Sequence, residues 1–392
     1  MADLLVGTLL FVAIVIGWLL GKIETRRQPS SANNNSSLSR EYFHGINLLL
    51  NERQDEAMEV FLRTLQVSPD TVDTYLVMGS LFRRRGEVDR AIRIHQDLLA
   101  RPSITKEQQS TVRLELAKDY LKAGLFDRSE RILKELVEEG GNQVLDCLEK
   151  LLSIYEQEKE WQDAVTVAHQ LINKGQGKYT TRLAHYHCEL AEAAMEVNDA
   201  VASRRQLKKA IQADKNCVRA SLIQAHLENQ QQNYKEAVKV LRRIRSQDPD
   251  FIPEMLDPLE QSYDGLEQPK EFTKYLFEVL EEHPAISVVI KLAEKVSEVE
   301  NEQAGAYVLS EYLKKRPSVK GLSRLIEYHI PNTDGAAKDN LSILQAFTHQ
   351  LIQHKPKYRC HNCGFDGKQL HWHCPSCKEW GTIKPIHGLE GE

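Results

Sequence analysis

The sequence has few of the residues and signals that mark several large protein classes. Of its 392 residues only 7% are aromatic and 13 are proline, a composition that favours a solvated helical protein over an all-β one. A formal net charge of −5 excludes the strongly basic balance that nucleic-acid-binding proteins show. The chain also lacks a glycine-rich phosphate loop, a dinucleotide-binding fingerprint and a recognisable Ser/His/Asp order. We therefore predict a non-enzymatic scaffold without a nucleic-acid partner.

One long apolar run stands near the N-terminus. Residues 4–20 carry no charge and, as a helix, would span roughly 26 Å, close to the thickness of a bilayer core. Asp3 precedes the run, and Lys22, Arg26 and Arg27 follow it, which places the rest of the chain in the cytoplasm by the positive-inside rule. A cleaved signal peptide is the alternative, but it would carry positive charge before the run. We predict a transmembrane anchor (1–22) and a polar, flexible linker (23–40).

A repeat of about 34 residues follows the linker. Gly45 and Gly79 are 34 residues apart, as are Ala57 and Ala91. This period is that of tetratricopeptide repeats, which are helix–turn–helix units with small residues where two helices approach. The recurring second-helix positions are Ala57, Ala91, Ser129, Ala164, Ser203, Ala237, Phe272 and Ala306. We predict a repeat array (41–330) with a concave protein-binding surface, then a connecting helical segment (331–356). An irregular helical bundle is the alternative.

Several residues inside the array invite a functional interpretation that we do not adopt. Arg83, Arg84 and Arg85 are predicted to be solvated side chains near a helix end, followed by the turn residue Gly86. The scattered cysteines are predicted to be packed core thiols, and His185 and His187 are not expected to form a ligand set with their neighbouring cysteine. These thiols are Cys147, Cys188 and Cys217.

The last segment (357–392) contains two C-x-x-C motifs. Cys360 and Cys363 form the first motif, and Cys374 and Cys377 form the second after ten intervening residues. Four thiolates in tetrahedral arrangement select one zinc or iron ion over hard cations. A lobe this small buries little apolar surface, so the metal is expected to supply much of its folding free energy. We predict Lys378 to break the symmetry of the two motifs, since it stands where Gly364 follows the first.

Other interpretations of this segment remain open. Paired disulfides would require an oxidising compartment, and a redox-active dithiol would need only one of the two motifs. Trp372 and Trp380 are predicted to pack the lobe or to dock it onto the array. The nearby histidines are assigned no ligand role, because four cysteines complete a tetrahedral shell. They are His361, His371, His373 and His387.

The order of anchor, repeats and metal lobe resembles the lipopolysaccharide assembly protein B family of Gram-negative bacteria. Two segments carry the resemblance, MGSLFRRRGEVDRAIRIHQ (78–96) and WHCPSCKEWGTIKPIHGL (372–389). The resemblance implies metal ligation by the four C-terminal cysteines and an inner-membrane location, for which the charges around residues 4–20 predict a periplasmic N-terminus. It also implies an adaptor that works with the membrane protease FtsH against the deacetylase that commits flux to lipid A. Other lipopolysaccharide-synthesis or regulatory membrane proteins are implied as further partners.

The expected fold is thus an all-α, tetratricopeptide-type solenoid with an N-terminal transmembrane helix and a rubredoxin-like or zinc-ribbon lobe. The expected function is that of the adaptor. A rubredoxin-like electron-transfer protein is the main alternative, and it would require iron in an exposed centre. A nucleic-acid-binding zinc ribbon is a weaker one, because the net charge is acidic.

Overall fold

Helices fill most of the chain that the computed structural model describes, which comprises residues 43–45, 47, 48, 53, 56, 57, 60, 72–102, 104–389 and 391. The helices are α1 (Val72–Arg85), α2 (Val88–Leu99), α3 (Lys106–Lys122), α4 (Phe126–Glu139), α5 (Val144–Glu158), α6 (Trp161–Asn173), α7 (Thr180–Glu196), α8 (Ala200–Ala213), α9 (Val218–Gln230), α10 (Tyr234–Gln247), α11 (Ile252–Gly265), α12 (Pro269–Glu282), α13 (Ile286–Val299), α14 (Glu302–Lys315), α15 (Val319–His329) and α16 (Ala336–His354). Three short strands follow, β1 (Tyr358–Cys360), β2 (Asp366–Gly367) and β3 (Ile383–Pro385). The chain divides into two units, Met1–Cys147 and Leu148–Glu392, with the boundary inside α5.

The predicted membrane anchor (1–22) and linker (23–40) lie outside the described residues. Among the helices that the structure does describe, none is both long and apolar enough to span a bilayer.

The same tight turn recurs between paired helices within the described chain. At each turn a residue one or two positions after the first helix has a positive φ. The N–H of the next residue donates to the carbonyl five positions back, as Glu87 does to Phe82. This is the Schellman arrangement, which satisfies carbonyls at a helix C-terminus. The turn residues are Gly86, Gly124, Lys159, Asn198, Gln232 and Glu267. Four of these six are not glycine, although a left-handed backbone costs other residues about 1–2 kcal/mol.

Small side chains occupy the second helix of most pairs where the first helix approaches, and Phe272 on α12 is the exception among the predicted positions. Ala91, Ala164 and Ala237 are fully buried, as the repeat pattern predicts. Where serine replaces alanine at Ser129, its hydroxyl donates to the Ala117 carbonyl at 2.8 Å and so remains satisfied in the core. The repeat pattern therefore locates the helix crossings correctly.

A buried polar network holds the first unit together. His95 Nδ1 lies 2.5 Å from Asp119 Oδ2, and both side chains are fully buried. Arg83 binds the other Asp119 oxygen at 2.7 Å and Glu115 at 2.6 Å. The prediction that Arg83 is solvated is therefore wrong, whereas Arg84 and Arg85 are exposed as expected. Arg83 joins α1 to α3 because its fork-shaped guanidinium can bind two carboxylates at once.

The second unit is held by apolar clusters between successive helices. One cluster gathers Phe251, Leu259, Phe272 and Leu276 from α11, α12 and the turn before them.

The three scattered cysteines, Cys147, Cys188 and Cys217, are buried, as predicted. The Sγ atoms of Cys188 and Cys217 lie 3.9 Å apart.

The C-terminal strands form one small antiparallel sheet in the order β2-β1-β3. In its register Tyr358 pairs with Gly367 on one side and with Pro385 on the other. Helix α16 precedes this sheet and packs against α15, where the Thr348 and Ser323 hydroxyls lie 3.3 Å apart.

Candidate metal centre and its docking surface

The two C-x-x-C motifs of the lobe share one backbone geometry. The Gly364 N–H donates to the Cys360 carbonyl at 2.9 Å, and the Lys378 N–H donates to the Cys374 carbonyl at the same distance. Gly364 and Lys378 both have positive φ, +77° and +60°. The asymmetry predicted at Lys378 therefore concerns the residue type and leaves the turn unchanged.

These turns bring all four cysteines together. Their Sγ atoms lie within 4.8 Å of one another, with Cys360 and Cys377 at 3.8 Å and Cys363 and Cys374 at 3.7 Å. A tetrahedral Zn–S₄ or Fe–S₄ centre with bonds of about 2.3 Å requires an S–S edge of about 3.8 Å. The arrangement could hold one such ion, and the separations are far longer than the roughly 2.05 Å of a disulfide.

The four sulfur atoms differ in their access to solvent. Cys360 and Cys374 are buried, Cys377 is partly buried and Cys363 is exposed. The exposed cysteine places one side of the centre at the surface of the lobe.

The lobe lies against α5, α6 and α7 through Trp380. This side chain is 5% exposed, and its indole N–H donates to Glu156 Oε1 at 2.8 Å. Trp161 and Tyr186 contact the indole edge to face, with ring centroids 6.0 and 5.8 Å away. Tyr186 also donates its hydroxyl to Glu156, so one carboxylate accepts from both the array and the lobe.

A second set of rings continues the contact. His185 stacks on Trp380 with centroids 5.2 Å apart, and it lies 5.9 Å from Trp372. Trp372 stacks on Phe251 at 5.3 Å. Burial, then the charges of Arg219 and His373, lowers the pKa of His185 to about 3. His185 is therefore neutral in the docked lobe at physiological pH.

Gly381 allows this close approach. Its φ is +66°, and a Cβ there would lie 3.1 Å from His185 Nε2. The positive φ favours glycine, and a side chain at this position would also require His185 to shift by a few tenths of an ångström.

Ion pairs surround the aromatic contact. Arg182 binds Glu379 of the lobe at 2.9 Å, and Lys384 of β3 binds Asp248 and Asp250 at 2.7 and 3.0 Å. Partial burial raises the pKa of Asp250. The hydrogen bond and positive charge of Lys384 outweigh this effect and hold the pKa of Asp250 below its usual range. A further bond joins the Tyr358 hydroxyl to the Glu254 carboxylate at 2.6 Å.

The structure confirms the prediction that Trp372 and Trp380 pack and dock the lobe. Sequence reasoning missed the array residues that receive them. His185 was noticed beside a cysteine, but its buried contact belongs to the lobe. Arg182 and Tyr186 lie close to His185 on α7, but no pattern in the sequence identifies them or the others as a docking surface. The missed residues are Glu156, Trp161, Arg182, Tyr186, Arg219, Asp250 and Phe251.

Family models match both parts of the chain. A rubredoxin metal-binding domain matches residues 358–385, and tetratricopeptide repeats match residues 74–108 and 188–250. The fold and the cysteine cluster therefore define a tetratricopeptide-repeat protein with a C-terminal rubredoxin-type domain, which confirms the helical-repeat prediction.

Full-length relatives define the family more closely. The chain is 37% identical to lipopolysaccharide assembly protein B of Escherichia coli K12 over 98% of both chains. It is 35% identical to the Haemophilus influenzae protein of the same name over 97% of this chain and 98% of that one. The chain belongs to the lipopolysaccharide assembly protein B family. Among solved structures, a tetratricopeptide repeat protein from Parabacteroides merdae has 13% identity and a TM-score of 0.33, with 71% of this chain and 99% of that chain covered.

Proposed function

We propose that the protein is a non-enzymatic adaptor that limits lipopolysaccharide synthesis. In this proposal it promotes proteolysis of the lipid A-committing deacetylase by the membrane protease FtsH, and it gathers other lipopolysaccharide-synthesis proteins at the inner membrane. Family membership supports the lipopolysaccharide context. Stacked helix pairs offer extended surfaces for protein partners. The cysteine lobe fastened across several helices is the observation that carries the adaptor role.

The proposed adaptor contains one structural metal ion. Cys360, Cys363, Cys374 and Cys377 are its proposed ligands, and the metal is zinc or iron. The matching sulfur–sulfur distances support this assignment. A bound ion would hold the two turns together in a lobe that has little apolar core of its own. The turn between the second pair of cysteines and β3 carries Trp380, so the metal would also position the docking side chain.

The proposed location is the inner membrane. Residues 1–22 would form a single-pass anchor with a periplasmic N-terminus, and the repeat array and lobe would lie in the cytoplasm. The charge distribution around residues 4–20 supports this orientation. A reporter that is active only in the cytoplasm should be active when it is fused after residue 392, and a reporter that is active only in the periplasm should be inactive there.

The test of the adaptor role is the half-life of the deacetylase in cells. Removal of the chain should lengthen the half-life, and re-expression should restore it. A variant with an undocked lobe, Trp380→Ala, should behave like the deletion, while His371→Ala on the exposed side of the lobe should behave like the wild type. An unchanged deacetylase half-life in the deletion strain would overturn the proposal.

A rubredoxin-like electron-transfer role is the second candidate, favoured by the exposed Cys363. Electron transfer requires iron and a centre close to the surface. Metal analysis of purified protein, followed by reduction of any iron centre, separates the two functions. Zinc at one ion per chain would exclude electron transfer by this centre.

A further inference from the structure

Helix α16 presents an apolar face to solvent. Its half-buried side packs on α15, and Thr348 lies at the centre of that contact. On the other side, four large apolar side chains are each more than half exposed, namely Ile343 (53%), Leu344 (51%), Phe347 (58%) and Leu351 (55%). End helices of repeat arrays normally have a polar outer face, because no further repeat covers them. An apolar outer face of this kind marks an interaction surface.

The charges at the two ends of α16 differ in sign. Asp334 and Asp339 lie at its N-terminal end, with Lys338 between them, and the net charge there is −1. Lys355 and Lys357 follow its C-terminal end, and the sequence between 340 and 357 contains no acidic residue. An antiparallel copy of the same helix would place acidic ends beside basic ends and would also oppose the two helix dipoles. A parallel copy would place like charges together.

The apolar residues are spaced for such self-association. Phe347 lies midway between Ile343 and Leu351, four residues from each. With Phe347 at a twofold axis, Ile343 of one copy would face Leu351 of the other, and the sequence positions 339 and 355 would face each other further out. A twofold interface uses the same patch on both subunits, so self-complementarity is what it requires.

We propose that the protein forms a homodimer through antiparallel packing of α16, with Phe347 near the twofold axis. The four side chains leave on the order of 400 Å² of apolar surface per copy, about half of what each partner buries in a standard stable interface. The contact is therefore weak in dilute solution. It becomes effective when both copies are held in one membrane, a point that depends on the proposed anchor.

Cysteine crosslinking of the full chain in membranes tests the arrangement. Phe347→Cys should give a crosslinked dimer with a short bismaleimide reagent, well above the level of the wild-type protein, whose exposed Cys363 sets the background. Asp339→Cys should give no such increase, because antiparallel helices keep the two 339 positions apart. Equal crosslinking at both positions would indicate parallel packing and overturn the proposal, as would no increase at position 347.

Charge and polarity variants provide an independent measurement. Phe347→Glu should raise the dissociation constant of the detergent-solubilised dimer at least tenfold, as measured by light scattering over a concentration series. Val201→Glu, at a valine that is 77% exposed on α8, is the matched control and should leave the dimer unchanged. Asp339→Lys should weaken the dimer, and the double variant Asp339→Lys with Lys355→Glu should restore it.

These readouts do not depend on the deacetylase. A monomeric wild-type chain at membrane concentration would overturn the dimer while leaving the adaptor role intact. Liposome binding by α16 without dimerisation would assign the apolar face to the lipid surface instead. Conversely, a dimer that persists while deacetylase turnover is normal in the deletion strain would overturn only the proposed function.

Discussion

The indole N–H of Trp380 donates to the carboxylate of Glu156, a residue 224 positions earlier in the chain. The bond is 2.8 Å long and lies inside a cluster of aromatic rings. A hydrogen bond to a charged acceptor in such surroundings is stronger than a neutral one and depends more on geometry. It fixes the orientation of the lobe on the array rather than merely its proximity.

Replacement of Trp380 should release the lobe in two graded steps. Trp380→Phe keeps an aromatic ring but removes the donor, which leaves a buried carboxylate with one bond fewer and should weaken docking by about 1–3 kcal/mol. Trp380→Ala also removes the ring contacts and should cost about 3–5 kcal/mol. Hydrogen exchange of residues 372–385 and of α7 in the full chain measures the release.

Metal content distinguishes undocking from unfolding of the lobe. Both variants should retain one ion per chain, since the four cysteines remain. His371→Ala, at an exposed ring of the same lobe, should leave exchange unchanged. Normal protection of α7 in Trp380→Ala would show that the indole does not hold the lobe in place.

The cysteine site was predictable from sequence because its geometry is local. C-x-x-C turns adopt nearly the same conformation wherever they occur, and Gly364 indicated the positive φ of the first turn. The docking surface was not predictable, because Glu156 and Arg182 meet the lobe only through the path of the helices between them. A single sequence contains no signal for a contact across such a separation.

The fold shows the same division between local and long-range information. The second-helix positions at the crossings, seven small residues and Phe272, recur every 34 to 39 positions, so the helix pairs could be located. The turns between them could not be predicted in the same way. Lys159, Asn198 and Gln232 adopt the positive φ that a glycine in the sequence would have indicated. Packing of the helix pairs imposes that backbone and outweighs the local preference. Arg83 was misjudged for a related reason, since its carboxylate partners lie on α3, one helix pair away.

Docking of the lobe should weaken as the pH falls below about 6.5. Burial lowers the pKa of His185 to about 3 in the docked state, whereas an undocked histidine titrates near 6.5. Because the docked pKa is the lower one, the docked state is fully favoured above pH 6.5 and loses stability as the pH falls towards 3. Between pH 7.5 and 5.5 we expect about tenfold weaker docking, measured by hydrogen exchange of α7.

His185→Phe should remove most of this pH dependence, since phenylalanine keeps the ring stacking and cannot be protonated. His371→Phe is the matched control and should retain the wild-type pH profile. Metal content must stay constant across the range, because acid also competes for thiolate ligands. An unaltered profile in His185→Phe would assign the pH dependence to another group.

The buried network of the first unit should be the point at which that unit is most sensitive to mutation. Asp119→Ala leaves the partly exposed Arg83 with one carboxylate, and it leaves the fully buried His95 without its acceptor. Removal of one partner from a buried ion pair costs about 3–5 kcal/mol. The thermal unfolding of residues 72–147, followed by hydrogen exchange in the full chain, should shift to lower temperature. Asp97→Ala, at an exposed carboxylate on α2, should change the stability by less than about 0.5 kcal/mol.

The four cysteines of the lobe should be equivalent in metal binding although they differ in exposure. Each supplies one sulfur to a single shell, so serine at any one of Cys360, Cys363, Cys374 or Cys377 should lower the metal content from one ion per chain towards zero. Cys363 gives the clearest test, because an exposed cysteine that binds no metal could be replaced by serine without effect.

Three buried cysteines provide the matched controls for this experiment. Cys147→Ser, Cys188→Ser and Cys217→Ser place a hydroxyl in an apolar core and should lower stability while leaving the metal content at one ion per chain. Metal analysis by mass spectrometry and exchange protection of α7 should be measured on the same samples. In the lobe variants both should be lost together, because Trp380 follows Cys377 by three residues on the turn that leads to β3. Metal loss with full protection of α7 would show that docking holds without the ion, and full metal in Cys363→Ser would remove that cysteine from the shell.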